Sequence, residues 1–172
     1  LFGDIQYRST RLNYDGSVPL SELRWTFLNP KAGMSLALTP SLTTYYSIGM
    51  TGREPTRNDI FGGNDDLLGD SLGNALTYIA APEYVMNHEL GLRYQTQRLR
   101  VDVNFYYMNF SNEIVLNGKF GPNGLALTNN VEQSFRTGVE LSLHAKLSRR
   151  FSLIHNSAYN YSRITEQGIS FS

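Results

Sequence analysis

The chain has 172 residues, its fifteen basic and fifteen acidic side chains cancel, and it contains no cysteine. That balance leaves no basic excess for a nucleic-acid partner and no acidic tract for a solvated tail, and without thiols there is neither a disulfide framework nor a thiolate metal site. No run approaches the roughly twenty apolar residues a membrane helix needs, so any membrane span must be β.

Seven segments alternate apolar and polar residues at period two, the pattern of strands with one greasy face. In the first, Ile5 and Tyr7 oppose Asp4, Gln6 and Arg8, while Leu12 and Tyr14 fall on the other parity. That predicts either a bulge or a strand end near Ser9. The second sets Ala32, Met34, Leu36 and Leu38 against Gly33, Ser35, Ala37 and Thr39, with Trp25 and Phe27 ahead of Pro30. A proline removes a ladder donor, so Pro30 is expected at a bulge or at the strand's outer rim. The third puts Leu42, Thr44, Tyr46, Ile48 and Met50 opposite Thr43, Tyr45, Ser47, Gly49, Thr51 and Arg53. The fourth opposes Tyr84, Met86, His88, Leu90, Leu92 and Tyr94 to Val85, Asn87, Glu89, Gly91 and Arg93. In the fifth, Val101, Val103, Phe105 and Tyr107 face away from Arg100, Asp102, Asn104, Tyr106 and Met108. The sixth alternates Val139, Leu141, Leu143, Ala145 and Leu147 with Gly138, Glu140, Ser142, His144 and Lys146. The seventh, Phe151 to Ser162, interrupts its apolar face with His155 and Ser157.

The joints carry as much information as the strands. Those after the second, fourth and sixth segments are tight: Thr39, Pro40, Ser41; Thr96, Gln97; Ser148, Arg149, Arg150. Those after the first, third and fifth are long, from about Tyr14 to Leu23, Gly52 to Pro82 and Ser111 to Phe135. A meander with its long loops at one end and its short turns at the other has the organisation of an outer-membrane barrel. Arg53, Glu89, Arg93, Arg100, Asp102, Arg136, Glu140 and Lys146 all share the polar face, as a lipid-facing opposite side requires, since a basic group near the bilayer midplane costs roughly 2 to 4 kcal/mol. The fold class is therefore all-β, an antiparallel up-and-down meander forming part of a transmembrane barrel. A soluble sandwich would show the same periodicity, with Leu90, Leu92, Val101, Val103, Leu141 and Leu143 sealed against a second sheet.

Few residues point to chemistry. Arg53, Glu54, Arg57 and Asp59 lie where the third strand rises into the longest loop, and they either touch a ligand or form an ion-pair network fixing the loop's exit. Asn64, Asp65, Asp66 and Asp70 form an acidic cluster without EF-hand spacing, expected to be a solvated, mobile loop. His88, His144 and His155 lie on three different strands, with only His144 on the polar face, and indicate no metal pair. Glu89 and Glu140 have basic neighbours and read as ordinary ion pairing. Tyr45, Tyr106 and Met108 point to the polar side, with Phe120 and Phe135 in or beside a long loop, and such rings stack on a ligand or pack against an internal domain. No nucleophile elbow, phosphate loop or HExxH pattern occurs, so no enzymatic activity and no cofactor are expected.

The pieces "GDIQYRSTRLNYDG", "FLNPKAGMSLAL", "YYSIGMTGREPTRNDIF", "PEYVMNHELGLRYQ", "VDVNFYYMNFSNEIVLNG" and "SFRTGVELSL" resemble, in order and spacing, the barrels of TonB-dependent outer-membrane receptors. That resemblance implies a bacterial outer-membrane barrel of about twenty-two strands with an internal plug, importing ferric siderophores, haem, cobalamin or another scarce nutrient through TonB. The chain, which opens on Leu1 without a signal segment, would be an interior slice of about seven of those strands, without the plug. Its partners would be outer-membrane lipid, the rest of the barrel, its plug, the TonB complex through that plug, and a small-molecule or metal-chelate ligand met by Arg53, Arg57, Asp59, Tyr45 and Tyr106. A passive barrel without a plug would use the same strands.

Overall fold

The computed structural model describes residues 1–79, 81–166 and 169–171. The strands are β1 (Phe2–Leu12), β2 (Leu23–Thr39), β3 (Leu42–Arg53), β4 (Glu83–Gln95), β5 (Leu99–Phe120), β6 (Ala126–Lys146), β7 (Ser152–Glu166) and the three-residue β8 (Ile169–Phe171), with one short helix, α1 (Arg57–Phe61). Each strand pairs antiparallel with the next, so one sheet runs in chain order. β1 to β7 are the seven segments read from the alternation, and β8 is an addition to them. The chain folds as a single layer, and among the described residues no second sheet covers it: Leu90, Leu92 and Leu153 are 47%, 39% and 47% exposed. A water-soluble sandwich would bury these side chains; a wall facing hydrocarbon does not.

The register explains the two faces. Leu92 pairs with Thr44 and Val103, and Val103 with Leu141, so the greasy positions of β3 to β6 form rows on one side. Glu89 pairs with Ser47 and Tyr106, and Asp102 with Arg93 and Ser142, on the other. Because the side-chain period is two, any one-residue slip would carry ionised groups into the apolar rows. Each short joint is closed by a hydroxyl: Thr39 Oγ1 accepts from Ser41 N at 3.2 Å, Thr96 Oγ1 from Leu99 N at 3.0 Å, and Ser148 Oγ from Arg150 N at 3.2 Å. These local bonds hold tight reversals that lack glycine.

Three expectations are revised. β1 neither bulges nor stops near Ser9; its pairing with β2 runs unbroken from Phe2–Gly33 to Leu12–Leu23. Leu12 changes parity because the polar face itself becomes apolar above Arg8, where Leu12, Tyr14, Trp25 and Phe27 meet a folded loop. Pro30 causes no bulge against β1, where it pairs with Ile5, but it stands one residue past Lys31–Gly49, the last β2–β3 pair. The expected long loop from Ser111 to Phe135 is mostly strand: β5 and β6 continue as a hairpin whose tip is residues 121–125, closed by Gly121 N to Leu125 O at 2.8 Å. Asn112, with a left-handed φ of 53°, interrupts the alternation there and hides the strand from a period-two reading.

Candidate functional site at the loop-bearing rim

Unequal strand lengths build the site. β5 and β6 have 22 and 21 residues, whereas β3 and β4 have 12 and 13 and end at the Arg53–Glu83 pair. A notch is left between the tall β1–β2 and β5–β6 hairpins, and the β3–β4 loop fills it. Thr56 and Asp59 start α1 with a reciprocal capping box, Thr56 N donating to Asp59 Oδ2 at 2.8 Å and Asp59 N to Thr56 Oγ1 at 3.3 Å. Gly62, in the left-handed region at φ 60°, ends it. The helix then turns Ile60 and Phe61 onto Trp25 and Phe27, with Leu67 completing the cluster.

The loop is tied to both walls. On the β1–β2 side, Arg8 Nη1 donates to Glu54 Oε1 at 2.9 Å and Arg8 Nη2 to the Gly52 carbonyl at 2.9 Å. Asn29, 8% exposed, accepts from Gly52 N at 3.0 Å and donates to Gln6 at 3.2 Å. The Tyr14 ring meets Phe61 edge-on at 5.3 Å, and its hydroxyl accepts from Leu67 N at 3.3 Å. On the β5–β6 side, Asn58 Nδ2 donates to the Ala126 carbonyl at 3.2 Å, Thr128 Oγ1 to Asp59 Oδ1 at 2.5 Å, and Asn123 N to the Gly63 carbonyl at 3.1 Å. Burial pushes the Glu54 carboxyl upward, but its own backbone N–H and Arg8 outweigh that and hold it below the usual carboxylate range.

The four residues expected at this exit do not form one network. Arg53 pairs with Glu83 at 3.2 Å, and Glu83 also accepts from Ile114 N at 2.8 Å. Glu54 belongs to Arg8. Arg57 lies over the Phe61 ring at 4.6 Å and donates to the Asp65 carbonyl. Asp59 is buried, and its oxygens are engaged by Thr56 and Thr128. In the acidic segment, Asp70 accepts from Leu72 N and Asn74 N, each at 2.8 Å, and from Asn74 Nδ2 at 3.1 Å, closing a small turn. The Asn74 side chain, with these backbone N–H groups, holds its carboxyl below the usual range. Among the described residues no group of three or more His, Asp and Glu side chains is placed to hold a metal ion.

Tyr45 and Tyr106 lie lower on the polar face and repeat one device. Tyr45 spreads over Gly91 of the next strand, and its hydroxyl donates to Asn104 Oδ1, one strand further, at 2.9 Å. Tyr106 covers Gly138 and donates to Asn160. A Cβ on Gly91 would stand 1.9 Å from the Tyr45 ring, so the glycine is what admits it. On the apolar face, the rings of Tyr46, His88, Tyr107, Phe135 and Tyr161 touch in succession across β3 to β7. Tyr46 and His88 also satisfy each other's polar atoms at 2.8 Å, as groups facing hydrocarbon must.

Sequence reasoning missed Arg8, Phe27, Asn29 and the buried Glu113, which is bound by Ser134 and Arg136. The T-x-x-D spacing of Thr56 and Asp59 was a legible helix start, but five residues are too few for a helical period. Nothing local marks the other four; the hydrogen-bond partners of Arg8, Asn29 and Glu113 lie 21 to 46 residues away.

The sequence profile described as TonB dependent receptor-like, beta-barrel, matches residues 4–171. A search of curated proteins finds no match. Among solved structures, the copper transporter OprC superimposes with a TM-score of 0.75 at 18% identity, covering 96% of this chain and 26% of its own. The siderophore receptor PirA from Pseudomonas aeruginosa gives 0.63 at 16% identity over 82% of this chain and 30% of its own. The FrpB iron transporter from Neisseria meningitidis gives 0.66 at 14% identity over 94% and 23%. The chain thus spans about a quarter of these proteins. Profile, single-layer meander and two-faced register agree: the chain belongs to the TonB-dependent receptor family, as a segment of its β-barrel in the bacterial outer membrane.

Proposed function

We propose that this segment is part of the wall and ligand-facing rim of a receptor that takes up a metal chelate of siderophore, haem or cobalamin type, or another scarce nutrient, energised by TonB through a plug held in the polar lumen. It would be a binding and transport protein without enzymatic activity. The observation that carries the reading is the β3–β4 loop, fastened to both neighbouring hairpins, with Arg57 on it and Arg53 at its foot, where β3 ends against Glu83. A rim of fixed cations suits an anionic chelate. In this reading Arg53 and Arg57 meet the ligand, Asp59 positions the loop, and Tyr45 and Tyr106 face what passes or fills the lumen. The copper, siderophore and iron transporters sharing the fold support a metal-bearing cargo.

The test is growth of an iron-limited strain carrying the full-length receptor on a set of defined ferric chelates, with and without TonB. At least one chelate should support growth only when both are present, and Arg53→Gln with Arg57→Gln should raise the concentration required. Uptake that persists without TonB would instead identify a passive barrel.

A further inference from the structure

The chain has two Asn–Gly steps, Asn117–Gly118 and Asn123–Gly124, and both lie on the β5–β6 hairpin. A glycine after asparagine has no Cβ to hinder its backbone nitrogen from reaching the side-chain amide carbon. Locally the two steps are alike. Both glycines are left-handed, at φ 78° and 76°, and each asparagine folds its side chain across its glycine, Asn117 Oδ1 accepting from Lys119 N at 2.9 Å and Asn123 Oδ1 from Leu125 N at 3.0 Å. That oxygen gains charge when the amide carbon is attacked, and the N–H beside it favours the charge. The surroundings differ. Gly124 N donates to the Gly121 carbonyl at 2.9 Å, Asn123 N to the Gly63 carbonyl at 3.1 Å and Asn123 Nδ2 to Asn58 Oδ1 at 3.2 Å, so attacking and attacked groups are both held. The β5–β6 register instead passes from Leu116–Thr128 to Phe120–Ala126, leaving residues 117–119 outside the paired ladder, and a Cβ on Gly118 would meet nothing within 4 Å. Exposure alone would choose the other step, since Asn123 is exposed and Asn117 half-buried. Asn117 also has a route to the loop. Its Nδ2 donates to Asn129 Oδ1 at 3.1 Å and to the Thr128 carbonyl at 3.5 Å, and Thr128 is the residue that holds Asp59.

We propose that Asn117–Gly118 is a self-modifying site of the rim: Asn117 loses its amide spontaneously, the fold keeps Asn123–Gly124 intact, and the change slackens the β5–β6 hold on the β3–β4 loop. Gly118 N gives up its proton to the solvent and attacks Asn117 Cγ; the new C–N bond forms, the Cγ–Nδ2 bond breaks and ammonia leaves. Water then opens the succinimide at either carbonyl, giving aspartate or isoaspartate. Nothing is oxidised or reduced, and water is the only co-reactant. The product sets carboxylate oxygens where Nδ2 had donated, so acceptors face the acceptors of Asn129 and Thr128. The change runs one way, and it slowly ages the anchor of Asp59.

The experiment incubates the full-length receptor in outer-membrane vesicles in mildly alkaline buffer, then digests it and counts aspartate and isoaspartate at both positions by mass spectrometry with electron-transfer fragmentation. In the folded receptor residue 117 converts faster than residue 123 by about tenfold or more, because the latter must first open locally. In guanidinium the two rates come together, which shows that the fold and not the dipeptide sets the difference. Equal rates in the folded receptor, or faster conversion at residue 123, overturn the proposal. A second arm reads the loop. Asn117→Asp, the product itself, accelerates hydrogen exchange at the Ile60 amide by about threefold or more, whereas Asn117→Gln, which keeps an amide but cyclises far more slowly, accelerates it less. Exchange at Ile60 that is the same in Asn117→Asp and the wild type overturns the link to the loop and the proposal with it.

Discussion

Truncating Phe27 to Ala would unfasten the β3–β4 loop without disturbing the wall beneath it. The ring is 1% exposed, sits under Ile60, Phe61 and Leu67, carries the Arg8 guanidinium 4.7 Å above its centroid, and meets Tyr84 at 5.8 Å. Removing a buried phenyl group costs about 3 to 5 kcal/mol in transfer and cavity terms. The loss falls on the loop and on the β1–β2 rim, where Phe27 pairs with Arg8, and not on the β2–β3 ladder, which ends below it at Lys31–Gly49. Local opening should therefore become more frequent by roughly a hundredfold or more, limited by the loop's own stability. Hydrogen exchange of the full-length receptor reads this directly: amides of Ile60, Leu76 and Tyr78 should accelerate, while those of Leu90 and Val103 keep their protection. Unchanged exchange in the loop, or equal acceleration in the strands, would refute the idea that the loop is an independently latched body.

Other perturbations separate the remaining interactions. Gly91→Ala should displace the Tyr45 ring and cost about 1 to 3 kcal/mol, with Tyr45→Ser restoring most of it in the double variant; gel-shift melting of the barrel measures both. Val103→Arg places a charge on the lipid-facing row and should impair insertion by roughly 2 to 4 kcal/mol, whereas Ser47→Arg, on the polar face, should insert normally into lipid vesicles. Glu54 binds fewer protons folded than unfolded, so its support of the loop is present at neutral pH and above the usual carboxylate range, and fades as pH falls through its lowered folded value. Pepsin should cleave the 54–82 loop faster with acidification in the wild type, and Glu54→Gln should flatten that dependence.

Much of the wall was legible before any coordinates. Seven of the eight strands, the three tight turns and the shared face of Arg53, Glu89, Arg93, Arg100, Asp102, Arg136, Glu140 and Lys146 follow from a period of two, because each residue's face is decided by its immediate neighbours. The family was legible too, since motif order survives where overall identity does not. The rim was not. Leu12 and Tyr14 read as a break in the alternation because the surface that covers them, together with Trp25 and Phe27, comes from a loop much later in the chain, and Asn112 broke the period just where β5 continues. Arg53, Glu54, Arg57 and Asp59 share a sequence neighbourhood, yet each is claimed by a different partner, and only the tertiary arrangement chooses among partners. Local alternation determined the wall. The packing of a loop into the notch between two taller hairpins decided what stands at its mouth.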